Sequence, residues 1–243
     1  MAIVGAIIGD LAAWTYEHEP DVFDAHMVST DAKLSPIGMC IMVEEPFIKE
    51  GGLIYKSRVY SMLSKVFNAP DPTVYEDPYN LDHWEYPKYG CAIPFRLKIA
   101  MITAAFICSS EESEERQKHL EWVSFFHGGK QEYYAQALTR ILSELRKGKS
   151  KESIQSENPV VLNYYPQGEH HKWRDYLEYI TFSWRCFYYS QDFNEAIINA
   201  SKCSRDRHLT MALAGAFAEA YYGTDSIDPR YIAVCNRLLG QSE

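Results

Sequence analysis

The run Arg205-Asp206-Arg207-His208 sets a carboxylate and an imidazole among guanidinium groups, a grouping able to bind a ligand, pair internally or stand in water. The plainest expectation is a solvated or ion-paired His208, with Asp206 as N-cap of the helix whose apolar spacing follows. Asp31, after Ser29-Thr30, has the same capping chemistry. Glu17, inside Glu17-His18-Glu19, is either an exposed carboxylate or a general base. Nucleophilic schemes find no support: there is no Gly-x-Ser-x-Gly elbow, and no histidine is placed convincingly near a cysteine. Gly128-Gly129-Lys130 is a fragment of a phosphate loop without the rest of the pattern.

The elements that must position these residues read as helices. Apolar residues recur at three- and four-residue spacings over 97–107, 113–126, 130–147, 173–189, 192–203 and 207–222. Two further helices are expected over 2–13 and roughly 36–48. Ala137, Ile141 and Leu145 line one face of the third segment, with Arg140, Glu144 and Arg146 turned elsewhere. Residues 68–95 hold five prolines and many aromatics, so they read as a long irregular loop. Residues 147–171 read as an exposed connection, and neither stretch breaks the helical style into separate domains. The expectation is one all-α domain over 1–243.

With 47% hydrophobic and 14% aromatic residues, the chain can bury a substantial core. Its 33 acidic against 24 basic residues give a net charge of −9, a balance that repels nucleic-acid phosphates and suits solubility or a basic protein partner. Cys40, Cys91, Cys108, Cys186, Cys203 and Cys235 are widely spread with no Cys-x-x-Cys pair, as reduced core thiols would be. The apolar start lacks the basic lead of a signal peptide, and no run approaches the roughly 20 apolar residues of a membrane span. The chain reads as cytoplasmic.

Four ordered segments carry a resemblance. They are Gly5-Ala6-Ile7-Ile8-Gly9-Asp10 with Tyr16-Glu17; Ser29-Thr30-Asp31-Ala32-Lys33-Leu34-Ser35; Tyr89-Gly90-Cys91-Ala92-Ile93-Pro94-Phe95-Arg96 with Phe126-His127; and Asp192-Phe193-Asn194-Glu195-Ala196 through Ala214-Gly215-Ala216-Phe217-Ala218-Glu219-Ala220-Tyr221-Tyr222-Gly223. In order and spacing the set resembles the ADP-ribosylglycohydrolase family. The resemblance implies a compact orthogonal helical bundle that hydrolyses the glycosidic link between ADP-ribose and a side chain or small molecule. Two central magnesium ions would hold the ribose hydroxyls and the attacking water, with ligands at Ser29, Thr30, Asp31, Asp206 and His208. Glu17 would assist at the scissile bond, together with Asp31. Gly90, Cys91, Ala92 and His127 would contact substrate, Arg96 would be a buried strut, and Asp10 would tie neighbouring backbone amides.

The chain departs from the family pattern where the metals should sit. Thr30 and His208 stand in place of aspartates and Leu209 in place of a threonine, so two of four family carboxylates remain. Two dications ~4 Å apart repel by about 16 kcal/mol at an effective dielectric of 20. Two carboxylates leave much of that charge uncompensated, and histidine is a poor magnesium ligand. Cys91-Ala92-Ile93-Pro94 also replaces most of a glycine-rich stretch that would cradle a diphosphate. The expectation is therefore a degenerate member with no resident metal. It would bind an ADP-ribosyltransferase, an ADP-ribosylated protein or a nucleotide such as ADP-ribose, as immunity proteins of the family block toxin transferases. The alternatives are an active hydrolase with an atypical metal site, with Asp31, Asp206 and His208 around one transition metal, and a glycosidase using Glu17 and a second carboxylate.

Overall fold

The computed structural model describes residues 3–35, 37, 38, 40, 41, 130–163, 174–203 and 206–238. All regular elements among them are helical: α1 (Ile3–His18), α2 (Pro20–Ala25), α3 (Lys130–Arg146), α4 (Lys151–Glu157), α5 (Pro159–Leu162), α6 (Arg174–Tyr188), α7 (Phe193–Ser201), α8 (Arg207–Tyr222), a 3₁₀ turn (Thr224–Ser226) and α9 (Pro229–Leu238). The protein is all-α over these residues, and none of these helices is long and apolar enough to cross a membrane. The helices expected over 97–107 and 113–126 and the loop 68–95 lie outside the described residues.

Helix α8 is the axis of the packing. Every side chain from Leu209 to Ala220 is buried. A helix apolar on all sides has no solvent face to offer and must be surrounded. Helices α1, α3, α6 and α7 do so. Asp206 starts α8, its Oδ1 accepting from the Leu209 amide at 3.2 Å, and Gly223 closes it at φ 82°. Only a residue without a Cβ takes that backbone conformation cheaply.

The crossing of α1 over α8 explains two glycines that would otherwise weaken α1 by about 1 kcal/mol each. A Cβ on Gly9 would overlap the Met211 carbonyl oxygen, and one on Gly5 would overlap that of Gly215. Gly215 in turn faces the Gly5 carbonyl. The backbones touch, so α1 and α8 form a rigid pair that carries residues from both ends of the chain. Helix α1 also runs to His18, beyond the 2–13 expected, and Thr15 in the added turn is buried, its Oγ1 donating to the Leu11 carbonyl at 3.0 Å.

The exposed connection expected over 147–171 is corrected in part. Ser150 caps α4 through the Ser153 amide, Pro159 opens α5, and Lys151, Ile154, Val161 and Leu162 are buried. Lysine and proline patterning hid this, because the buried lysine reads as a surface residue until its partners are in place. Helix α7 starts as expected, with Asp192 accepting from the Glu195 amide at 2.8 Å.

Candidate functional site

The N-terminal end of α8 meets the C-terminal half of α1 and the segment after α2. Asp10, fully buried on α1, is the hub. Its carboxylate accepts from the Ser35 amide at 2.8 Å, from Ser35 Oγ at 2.5 Å and from His208 Nδ1 at 2.8 Å. His208 lies on α8, and its other ring nitrogen, Nε2, is 3.5 Å from Glu17 Oε2. Arg207 Nη1 donates to Glu17 Oε1 at 2.7 Å, its Nε to the Ser201 carbonyl at 3.0 Å, and its guanidinium lies 4.6 Å from the Tyr16 ring centre. Two carboxylates of α1 thus grip two cations of α8.

Helical geometry sets this up. Residues 10 and 17 are seven apart, two turns on one face of α1, while residues 207 and 208 occupy the first turn of α8. The Gly9–Met211 contact fixes the distance between those faces. Gly38 packs against this group, since a Cβ there would collide with the Asp10 carboxylate.

Burial alone would push the His208 proton off, but Asp10 and Glu17 outweigh it and hold the imidazolium up to about 10. Glu17, hydrogen-bonded first of all by His208 and then by Arg207 against the cost of its burial, is held down at about 2. At neutral pH His208 is therefore an imidazolium and Glu17 a carboxylate, in contact with Asp10 and with the Arg207 guanidinium respectively. A carboxylate with so low a pKa is a weak proton acceptor, which counts against Glu17 as a general base.

The other expected site residues are arranged differently. Ser29 is buried, its amide donating to Thr15 Oγ1 at 2.9 Å and its Oγ accepting from the Asp31 amide at 3.1 Å. Thr30 and Asp31 are exposed, and the Thr30 carbonyl accepts from Arg237 Nη2 at 2.6 Å. Asp31 follows the Ser29 turn rather than opening a helix, so its expected capping role falls to Asp206 alone. Among the described residues, no group of three or more His, Cys, Asp and Glu side chains is placed to hold a metal ion. Gly90, Cys91, Ala92, Arg96 and His127 lie outside the described residues.

The sequence suggested a solvated or ion-paired His208 and an Asp10 tying neighbouring backbone amides; the structure has the ion pair, and the amide that Asp10 ties is that of Ser35, 25 residues away. Sequence reading missed that Asp10 Oδ1 serves both Ser35 Oγ and His208, and that Arg207 and His208 share Glu17. The available signal was charge: two acidic residues seven apart on α1 and two basic residues at the start of α8.

A second polar cluster lies at the opposite end of α8 and escaped the sequence reading. Buried Lys151 donates to the carbonyls of Phe187 at 2.9 Å and Ser190 at 2.7 Å and to Tyr222 Oη at 2.7 Å, with the Tyr188 carbonyl at 3.3 Å. Its ammonium also lies 4.3, 5.3 and 5.0 Å from the ring centres of Phe187, Tyr221 and Tyr222. Among the described residues no carboxylate is in contact with it, and burial pulls its pKa below the usual lysine value. Searches of protein-family models and of curated proteins find no match to this chain.

Proposed function

We propose that the chain is an ADP-ribosylglycohydrolase-type bundle whose metal centre has been replaced by protein cations, and that it acts by binding rather than by hydrolysis. The observation that carries this reading is the placement of His208 between Asp10 and Glu17, at 2.8 and 3.5 Å. The resemblance puts a metal-ligating carboxylate at position 208. Here the residue at that position brings positive charge itself, and Arg207 adds a second unit through Glu17.

The donor set does not fit a pair of magnesium ions. Each dication asks for about six hard oxygens, with carboxylates to neutralise it. Thr30 and Asp31 face outward, Asp206 spends one oxygen on the α8 cap, and a protonated His208 has no lone pair to donate. Adding dications beside an imidazolium and a guanidinium would raise the repulsion that the carboxylates must offset. The binding partner on this reading is an ADP-ribosyltransferase, an ADP-ribosylated protein or a nucleotide such as ADP-ribose.

The test is calorimetric titration of ADP-ribose with and without magnesium, joined to an assay for ADP-ribose release from a modified protein with magnesium, manganese or zinc. The expected result is no turnover with any metal and no magnesium-dependent heat. Metal-dependent release that disappears in Asp31→Asn and Asp206→Asn would establish the hydrolase alternative instead.

A further inference from the structure

Helices α6 and α7 pack against one another, and a cysteine stands near the C-terminal end of each: Cys186 in the last turn of α6 and Cys203 just beyond α7. Both are partly exposed, whereas Cys40 and Cys235 are buried. A bond that ties the two helices runs through Cys186 itself, whose carbonyl accepts from Asn199 Nδ2 at 3.3 Å. Asn199 comes four residues before Cys203, about one helical turn. That turn continues past the end of α7, because Lys202 keeps helical backbone angles of −76° and −7° and the Cys203 amide donates to the Ala200 carbonyl at 3.0 Å. Residues four apart share a helix face, so Cys203 lies on the side of α7 that Asn199 turns toward Cys186.

Two further observations agree. Cys203 follows Ala196 and Ala200 at helical spacing, both are fully buried, and small side chains shorten the distance between packed helices. The thiols also sense each other: burial pushes the Cys186 thiol up to about 11, and the neighbouring Cys203 adds to the rise. The pair borders the candidate site as well. Ser201, two residues before Cys203, gives its carbonyl to Arg207 Nε at 3.0 Å.

We infer that Cys186 and Cys203 form a dithiol site that a small-molecule disulfide, such as oxidised glutathione, converts to an intramolecular disulfide fastening the end of α7 to α6. The Cys203 thiolate attacks one sulfur of the small disulfide, whose S–S bond breaks and releases one thiolate with the bonding pair. Cys186 then loses its proton to solvent and attacks Cys203 Sγ, expelling the second thiolate. The protein gives up two electrons and two protons, and the small disulfide takes them up as two free thiols. Cys186 acts second because at neutral pH it is almost wholly thiol, and the mixed disulfide presents its target within the same molecule. This chemistry is independent of ADP-ribose binding and of the Asp10–His208 group.

The experiment is incubation of the full chain with oxidised glutathione under native conditions, alkylation of the remaining thiols, and peptide mapping without reduction. The expected product is a cross-link between the Cys186 and Cys203 peptides, lost on reduction and formed at a rate independent of protein concentration. Cys186→Ser should halt the reaction at a glutathione adduct on Cys203. Cys203→Ser should leave Cys186 to react at least about tenfold more slowly than Cys203 does in the first variant, since its thiolate is scarce. The proposal is overturned if the native chain carries glutathione on either residue without the cross-link, if neither residue reacts, or if Cys203 pairs with a different cysteine. The cross-link is read on the unaltered chain, so it decides the matter even where a serine variant fails to fold.

Discussion

The two ends of α8 solve one problem, a cation removed from water, in opposite ways. At the N-terminal end, His208 and Arg207 are answered by full negative charges on Asp10 and Glu17. At the C-terminal end, Lys151 is answered by neutral carbonyls, a hydroxyl and ring faces. The proton affinities follow: His208 is held up to about 10, whereas burial draws Lys151 downward. Removing a charge from the first end therefore strands opposite charges, while removing it from the second strands only dipoles.

The largest effect should come from His208→Leu. It leaves the buried Asp10 carboxylate without its cation, so denaturant unfolding should show a loss of about 3–5 kcal/mol. Lys151→Met keeps the volume and removes the charge, and should cost about 1–2 kcal/mol, because the Phe187 and Ser190 carbonyls keep partners in Ser190 and Tyr222. A Lys151→Met loss equal to or greater than that of His208→Leu would break the comparison.

The pH dependence sharpens it. The imidazolium of His208 has a folded value near 10 against an ordinary 6.5, so its stabilisation is complete below about 6.5 and is lost as pH rises toward 10. Glu17, lowered from 4.5 to about 2, contributes above about 4.5 and is lost as pH falls toward 2. Thermal melts across that range should show a stability plateau between them, and His208→Leu should flatten the alkaline flank. Lys151 works in the other direction at high pH, because a group whose pKa falls on folding favours the folded state as it deprotonates. Lys151→Met should leave the loss between 6.5 and 10 in place.

The smallest effect should come from Arg207→Gln, whose partner Glu17 is about one-third exposed and still paired with His208. The expected cost is about 0.5–1 kcal/mol, diminished by added salt, whereas the His208→Leu cost should hardly respond to salt.

Much of the fold was legible because local patterns agree with the final packing. The spacing over 207–222 and 192–203 and the Asp206 cap appear in the structure within a residue or two. Residues 151–162 were misread because Lys151 and Pro159 are surface signals out of context, and only α6 and α8 supply the acceptors that bury the lysine. Position 208 was legible as a departure from an acidic pattern, but its partners were not. Asp10 and His208 are 198 residues apart, and nothing local couples them.

By itself the sequence determined a helical chain, its main helix boundaries and its acidic balance. Helical period, capping chemistry and charge are properties of near neighbours, so they can be read in one dimension. Tertiary structure alone decided that Gly5, Gly9 and Gly215 bring α1 and α8 into backbone contact. It alone decided that this contact sets the carboxylates of α1 against the cations of α8, and that Lys151 closes the far end. Ionisation and burial depend on which distant groups share a low-dielectric space, and that is settled only when the chain has folded.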